Sequence, residues 1–504
     1  MEPTKRIILN TIVQYSRSLL NIFLSLFSTR YIVEALGKYD YGLYVVVGGV
    51  VALLGFITNA LIITTQRFVS FFYGKNDLNQ VKKIFANSLM LHIIFSLGLT
   101  GILLCLKDFF IYDFLSIPNG REDVASKIYF LTTGMLVVTI LIAPFKALFI
   151  ARENIVYISI VEICDGFVKL AVALLVLSTD SDRLLLYAFL MLLIQLANLL
   201  AFSTYALWKY DECHIIAHRK EIDLQTIRQL MGFAGWSTYG MGAVVLRSQG
   251  IQVLLNRSFG TVINSAYGLA LQIFGSVSFV ATSILNAMNP QIMKAEGEGN
   301  RKKMLHLAEM ESKYSSMLLI LVIIPIIFET PGILSFWLKE VPEETSMFCQ
   351  FILVSFIIDQ LTYGLNTANQ STGKIKLYTL LMYTPKMLVI VPVYFLLSSG
   401  HTPTTVMCIY LASEILVSIA RLPYIKYTCG LSILHYIKSV FVPLLPLLVV
   451  QSLSALLCIN NLNFQYRFLV TITVTIMVGM AVIWFFSLGH SEKHFLKSII
   501  QANH

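Results

Sequence analysis

Residues 34–44, EALGKYDYGLY, return in altered form at 257–270 as RSFGTVINSAYGLA. Each has a glycine, a short polar turn, and then Tyr-Gly-Leu opening a long apolar run. Downstream, RFVSFFYGKNDLNQVKK (67–83) is echoed by PQIMKAEGEGNRKKM (290–304), and IARENIVYIS (150–159) by STGKIKLYTL (371–380). Gly37 and Gly260 stand 223 residues apart, as do Gly74 and Gly297. So constant an offset argues for a duplicated unit over chance matches among apolar residues.

The apolar runs set the size of that unit. The chain has 504 residues, 57% hydrophobic and 13% charged, with a mean hydropathy of +0.74. A soluble chain carries roughly 25% charged residues. Here the charges bunch between runs near the ~20 residues that cross a bilayer. Fourteen runs qualify: 7–33, 42–66, 84–106, 128–150, 155–177, 184–208, 230–255, 262–290, 306–328, 345–371, 376–398, 404–425, 437–459 and 466–488. The fold class predicted is therefore an all-α polytopic membrane protein of about 14 transmembrane helices. Two six-helix lobes follow from the repeat, and six being even, they are parallel repeats. The domain limits are 1–208 for the N-lobe, 209–228 for a charged linker, 229–430 for the C-lobe, and 431–504 for two last helices and a tail. The run 7–33 is too long for a signal peptide and has no clear small-residue cleavage site, so it stays as the first span.

Lys and Arg orient the chain. With the N-terminus in the cytoplasm, 24 of the 37 fall in inside segments and 9 outside, and four (Arg17, Lys169, Arg247 and Lys386) lie within helices. This bias places both termini inside. The net charge of +9 is then a topology signal, and with no exposed basic domain nucleic acid is not an expected partner. The loops leave no room for an ATPase or catalytic domain. TANQSTGK (367–374) lacks the leading glycine of a phosphate-cradling loop. A membrane polysaccharide polymerase or ligase would need a substantial outward loop, and the longest, 107–127, has no catalytic constellation. The seven cysteines are scattered; Cys213, His214 and His218 cluster without a fourth ligand, so neither metal nor cofactor is expected.

The polar residues inside the helices carry the functional reading. Asn10, Gln14, Arg17, Asn21, Ser25 and Ser28 fall within an arc of about 80° on the first helix. A polar face of that length lines a cavity or a buried network, because lipid would exact a large penalty. Gln272, Ser276, Ser283 and Asn286 form a similar stripe on the eighth helix, and Trp236, Gly240, Ala243 and Arg247 share a face of the seventh. Two arginines at membrane depth suit an anionic substrate, since a guanidinium matches phosphate oxygens. Arg17, Arg247, Gln14, Asn21, Asn10, Gln272 and Asn286 are thus the candidate substrate residues. Asp165 and Lys169 form either a neutralising i, i+4 pair or part of an ion site, and Glu162 has no evident local partner. Asp359, Lys386 and Glu414 form either a structural ion cluster or a coupling site. The candidates for ion coupling are Asp359, Glu162, Asp165 and Glu414.

LGKYDYGLY and QRFVSFFYGKND, with the second-half echo FGTVINSAYGLALQIF and NPQIMKAEGEGNRKKM, resemble the polysaccharide-transport branch of the MOP exporter superfamily. The resemblance runs over roughly residues 5–430. It includes the Wzx-type flippases of O-antigen, capsule and exopolysaccharide synthesis. It implies a secondary transporter, not an enzyme, that moves an undecaprenyl-diphosphate-linked oligosaccharide across the bacterial cytoplasmic (inner) membrane. It also implies a cationic cavity with Arg17 at its wall, and coupling to a cation or proton. Membrane lipid is a further partner, with room for other polysaccharide-assembly proteins. The rival within the superfamily is a MATE-like antiporter of organic cations, which favours an acidic, aromatic-lined pocket.

Overall fold

A computed structural model describes residues 3–52, 54–114, 117, 120–179, 182–214, 222–338, 341–464, 466–489 and 492–493. The linker residues 215–221, with His218, lie outside the described residues. The described chain is nearly all helix and contains no strand. The first six helices are α1 (Pro3–Ala52), α2 (Gly55–Gly74), α3 (Leu78–Asp108), α4 (Glu122–Ala151), α5 (Ile155–Leu177) and α6 (Arg183–Lys209). There follow α7 (Leu224–Gly297), α8 (Arg301–Trp337), α9 (Thr345–Gln360), α10 (Tyr363–Thr372), α11 (Ile375–Leu388) and α12 (Ile390–Ser398). The last are α13 (Pro403–Cys429), α14 (Ile433–Tyr436), α15 (Val442–Asn461) and α16 (Arg467–Val482).

Two of these are too long to be single rods. Along a straight helix Asn21 and Tyr44 would stand about 35 Å apart, yet both line one cavity. The break in α1 is Gly37, whose φ of 71° and ψ of 172° suit a residue without a Cβ. In α7, Gln252 and Gly268 would be about 24 Å apart on a rod. A Cβ on Gly268 would instead lie 3.8 Å from Gln252 Nε2. Each run therefore doubles back, as the paired segments 7–33 with 42–66 and 230–255 with 262–290 require.

Ten helices among the described residues are long and apolar enough to span a bilayer, or eleven if α9 and α10, bent by 46°, make one broken span. The fourteen expected spans exceed this count. The other three segments are helical but more polar or interrupted: α5 carries Glu162, Asp165 and Lys169, 42–66 is split ahead of α2, and 230–255 is the polar first arm of α7.

The repeat reappears as turn geometry. After α2, Lys75, Asn76 and Asp77 donate backbone N–H groups to the carbonyls of Phe71, Tyr73 and Phe72. After α7, Glu298, Gly299 and Asn300 donate to Lys294, Glu296 and Ala295. Asn76 (φ 56°) and Gly299 (φ 75°) are both left-handed. Asp77 and Asn300 then cap the next helices, accepting from Gln80 N and Lys303 N. Every matched pair is separated by 223 residues. The same helix stop and restart was thus copied with its hydrogen bonds, although glycine and asparagine exchanged places.

The chain divides into two compact units, Arg6–Met241 and Gly242–His504. The division falls inside α7, beyond the linker 209–228 where the sequence placed it. The reason is local packing. Leu230 and Ala234 join the buried core of the first unit, Phe233 meets Phe68 edge-on at 5.7 Å, and Lys83 pairs with Asp223 at 2.7 Å. In the first unit α4 is the central helix, packed by α2, α3 and α6. In the second, α8 is central, packed by α9, α10, α15 and α16, so the last two helices belong to that body. Many large apolar side chains stay exposed, among them Leu200, Phe395, Phe485 and Phe486. Hydrocarbon, not water, is the solvent that suits such a surface. The protein is a multi-pass membrane protein.

Candidate functional site

The site in the first unit begins with a close approach of two helices. A Cβ on Gly166 of α5 would sit 2.9 Å from Leu24 Cδ1 and 3.2 Å from Asn21 Oδ1 of α1. Only glycine leaves room there. One turn before each of these contacts lie Glu162 and Arg17, and they pair, Nη1 to Oε2 at 2.7 Å. Lys146 of α4 reaches the other oxygen of Glu162. Further along α5, Asp165 takes Lys169 at 2.7 Å and accepts from Asn198 Nδ2 of α6 at 2.7 Å. Gln195 Nε2, also on α6, donates to Thr139 Oγ1 at 2.7 Å.

These groups border a cavity of about 830 Å³. Asn21, Tyr44, Lys146, Glu162, Asp165 and Lys169 are on its wall. A second space of about 420 Å³ shares Asn21, Tyr44, Glu162, Asp165 and Lys169 with it and extends along Ser25 and Ser28. Three cations and two carboxylates leave the cluster one positive charge in excess. The charged groups stay partly accessible, with Lys146 and Lys169 each about a third exposed. Such a wall can bind an anionic group at Lys146 and Lys169, or release Glu162 to a competing cation.

The polar face of the first helix divides along its length. Asn10 is buried and donates to the Glu153 carbonyl at 3.2 Å, and Gln14 is buried too. Arg17 pairs with Glu162, which lines the cavity, but does not line it itself, while Asn21 reaches the wall. Asn21 Oδ1 is buried with no hydrogen-bond partner among the described residues. Glu162, read from the sequence as lacking a local partner, is shared by two cations on two other helices. A one-dimensional spacing argument sees only partners on the same helix.

The second unit holds its charges differently. Arg247 donates Nη1 to Glu414 Oε1 at 2.5 Å and Nη2 to Tyr410 Oη at 3.0 Å, with its guanidinium 4.1 Å over the Tyr410 ring. Lys386 bridges Glu414 and Asp359 at 2.7 and 2.9 Å. Arg421 completes the chain on Asp359 at 2.8 Å. Arg247 is 4% exposed, so little space is open over its charge. Of the two readings open for Asp359, Lys386 and Glu414, this geometry fits the structural ion cluster. Gln272 is exposed and Asn286 half-buried.

Two residues of these networks escaped the sequence reading. By sequence Lys146 and Arg421 fall among the 24 inside charges that set topology, whereas in the structure both project from helices into ion pairs. For Lys146 a signal was present, since it stands inside the apolar run ILIAPFKALFIA, 140–151.

No family model matches the chain. No curated protein matches it either. Among solved structures the chain is similar to a MOP superfamily transporter from Pyrococcus furiosus, described as having a binding pocket of reverse polarity. The TM-score is 0.73 at 13% identity, over 85% of this chain and 96% of that one. It is also similar to an outward-facing multidrug resistance MATE family transporter of the MOP superfamily, with a TM-score of 0.71 at 11% identity, over 85% and 96% of the two chains. The fold is that of the MOP superfamily transporters. At such identity the likeness speaks for the fold, and the polar residues must speak for themselves.

Proposed function

We propose that this chain is a secondary transporter of the bacterial cytoplasmic membrane that flips a lipid-diphosphate-linked oligosaccharide from the inner to the outer leaflet. The observation that carries this reading is the cavity in the first unit, with Lys146 and Lys169 on its wall beside Glu162 and Asp165, and Arg17 on Glu162 adding a third cation to the cluster. A diphosphate gains charge-assisted hydrogen bonds from two or three such cations. Sugars find hydroxyl and amide partners in Asn21, Thr58, Asn59 and Thr139 on the same wall. The motifs shared with the polysaccharide-transport branch support the same substrate class. Both termini are then cytoplasmic, following the Lys and Arg bias.

The second reading is export of organic cations. Glu162 and Asp165 beside the Tyr44 ring favour it, as does the MATE character of the structural neighbours. Reconstitution in liposomes separates the two. The flippase reading expects translocation of a fluorescent lipid-diphosphate oligosaccharide and no efflux of an organic cation such as ethidium. Cation efflux without lipid movement reverses the assignment.

A further inference from the structure

The four carboxylates that the sequence offered for ion coupling are each held by a cation: Glu162, Asp165, Asp359 and Glu414. Glu311 of α8 is not. Its residue is fully buried, and among the described residues it makes no ion pair. Thr367 Oγ1 of α10 lies 3.3 Å from its Oε1, and its Oε2 is buried with no partner. The same Thr367 oxygen lies 3.0 Å from Asn289 Oδ1 of α7.

Thr367 has one hydroxyl hydrogen and two neighbouring acceptors. With that hydrogen on Asn289, the shorter contact, the contact to Glu311 needs a hydrogen from Glu311 itself. The relay then runs Glu311 O–H to Thr367 to Asn289, each donor with one acceptor. Turning the Asn289 amide sends the Thr367 hydrogen to Oε1, but Oε2 still has nothing. An ionised carboxylate with one long hydrogen bond and an orphaned oxygen is among the costliest arrangements in an apolar interior.

The charged and titratable groups around it offer no rescue. On α8 itself Lys313 is engaged by Glu492 at 2.8 Å, and Glu309 faces His435 at 3.4 Å. From α9 comes Asp359, bound to Lys386 and to Arg421 of α13. From α10 and α14 come the phenols of Tyr363 and Tyr436. Lys294 lies beyond Asn289 on α7, and Lys438, on the π-helical turn after α14, is exposed. Arg467, at the start of α16, is held by Glu329, and α15 brings no charge.

Glu311 also sits where the helix breaks. At the α9–α10 bend the freed backbone groups are met by side chains. Tyr436 Oη donates to the Leu361 carbonyl at 2.9 Å, Arg421 to the Asp359 carbonyl at 3.0 Å, and Gly364 N donates to Ser312 Oγ at 2.9 Å. Ser312 is the residue after Glu311, so α10 closes over the carboxyl through Gly364 and Thr367. Discontinuous helices are where membrane carriers place ion sites.

We propose that Glu311 is a proton-binding site of the second unit, filled in the conformation described here and emptied to water when α10 moves off α8. The O–H bond of the acid breaks, the proton passes to water, and the carboxylate is left solvated. The proposal rests on this geometry and not on the identity of the transported substrate.

Infrared spectroscopy of the full chain in lipid nanodiscs tests it. The wild type is expected to show a protonated carboxylic acid band that disappears as pH rises, and Glu311→Gln is expected to lack that band. A band unchanged in Glu311→Gln overturns the proposal. So does a wild-type band removed by sodium at constant pH, which would make the site a sodium site. If Glu311→Gln does not fold, Thr367→Val keeps the acid and takes away its hydroxyl partner. The band is then expected at higher frequency, and an unshifted band sinks the idea.

Discussion

Arg17 and Glu162 meet at 2.7 Å across the junction of α1 and α5, and the meeting depends on Gly166 one turn further on. The pair answers why a guanidinium is tolerated at that depth, and Lys146 on the same carboxylate keeps the site positive. Arg17→Ala is expected to leave Glu162 with Lys146 alone and to lower transport about 10-fold or more, the worth of one charge-assisted hydrogen bond of ~1.5–3 kcal/mol. Membrane insertion is expected to be unchanged, and Arg17→Lys to retain part of the activity. Transport and surface expression measured on the same cells check this. Full transport by a stably expressed Arg17→Ala chain removes Arg17 from the site.

The chain of charges in the second unit makes a different demand. Glu414 pairs with Arg247 and Lys386 together, with both cations about 5% exposed. Glu414→Gln is expected to cost about 3–5 kcal/mol, the usual penalty for leaving a buried charge without its partner. Arg247→Met made together with Glu414→Gln is expected to recover part of that loss, since one stranded cation goes with its counter-ion. Thermal melting of the two purified variants decides.

At Gly364 the issue is space. A Cβ there would stand 2.0 Å from the Ala308 carbonyl oxygen and 2.8 Å from Ser312 Oγ. Backbone cannot yield as a flexible side chain does, so Gly364→Ala is expected to destabilise by about 1–3 kcal/mol or more. Its yield after detergent extraction is the readout. A Gly235→Ala chain, where a Cβ would meet nothing within 4 Å, is the control.

Asp223 gives a pH dependence outside the membrane. The Lys83 ammonium, then the Thr226 hydroxyl and backbone N–H groups, hold its carboxyl well below the usual carboxylate range. A depressed carboxyl contributes stability above its unfolded pKa of about 3.9, and that contribution drains away as pH falls. Asp223→Asn is therefore expected to melt below the wild type at neutral pH, with the gap closing in acid. A gap that is constant with pH shows that the capping geometry, not the charge, is what Asp223 supplies.

The sequence by itself determined the class of this protein and its plan. Bilayer-length apolar runs leave no other home for the chain, and the recurrence at 223 residues fixed the duplicated turns that the structure shows at Asn76 and Gly299. A periodic face on one helix was legible too, because Asn10, Gln14, Arg17 and Asn21 follow the helical period. Which charge meets which was decided only in three dimensions. Glu162 finds Arg17 and Lys146, and Glu414 finds Arg247 and Lys386, on helices far apart in the chain. Ion pairing depends on a few ångströms between side chains, and linear order does not carry that distance when the partners lie on different helices. Glu311 is the plainest case. In the sequence it is one acid beside Lys313, and only the packing of α7 and α10 over α8 leaves it with a hydroxyl and no cation.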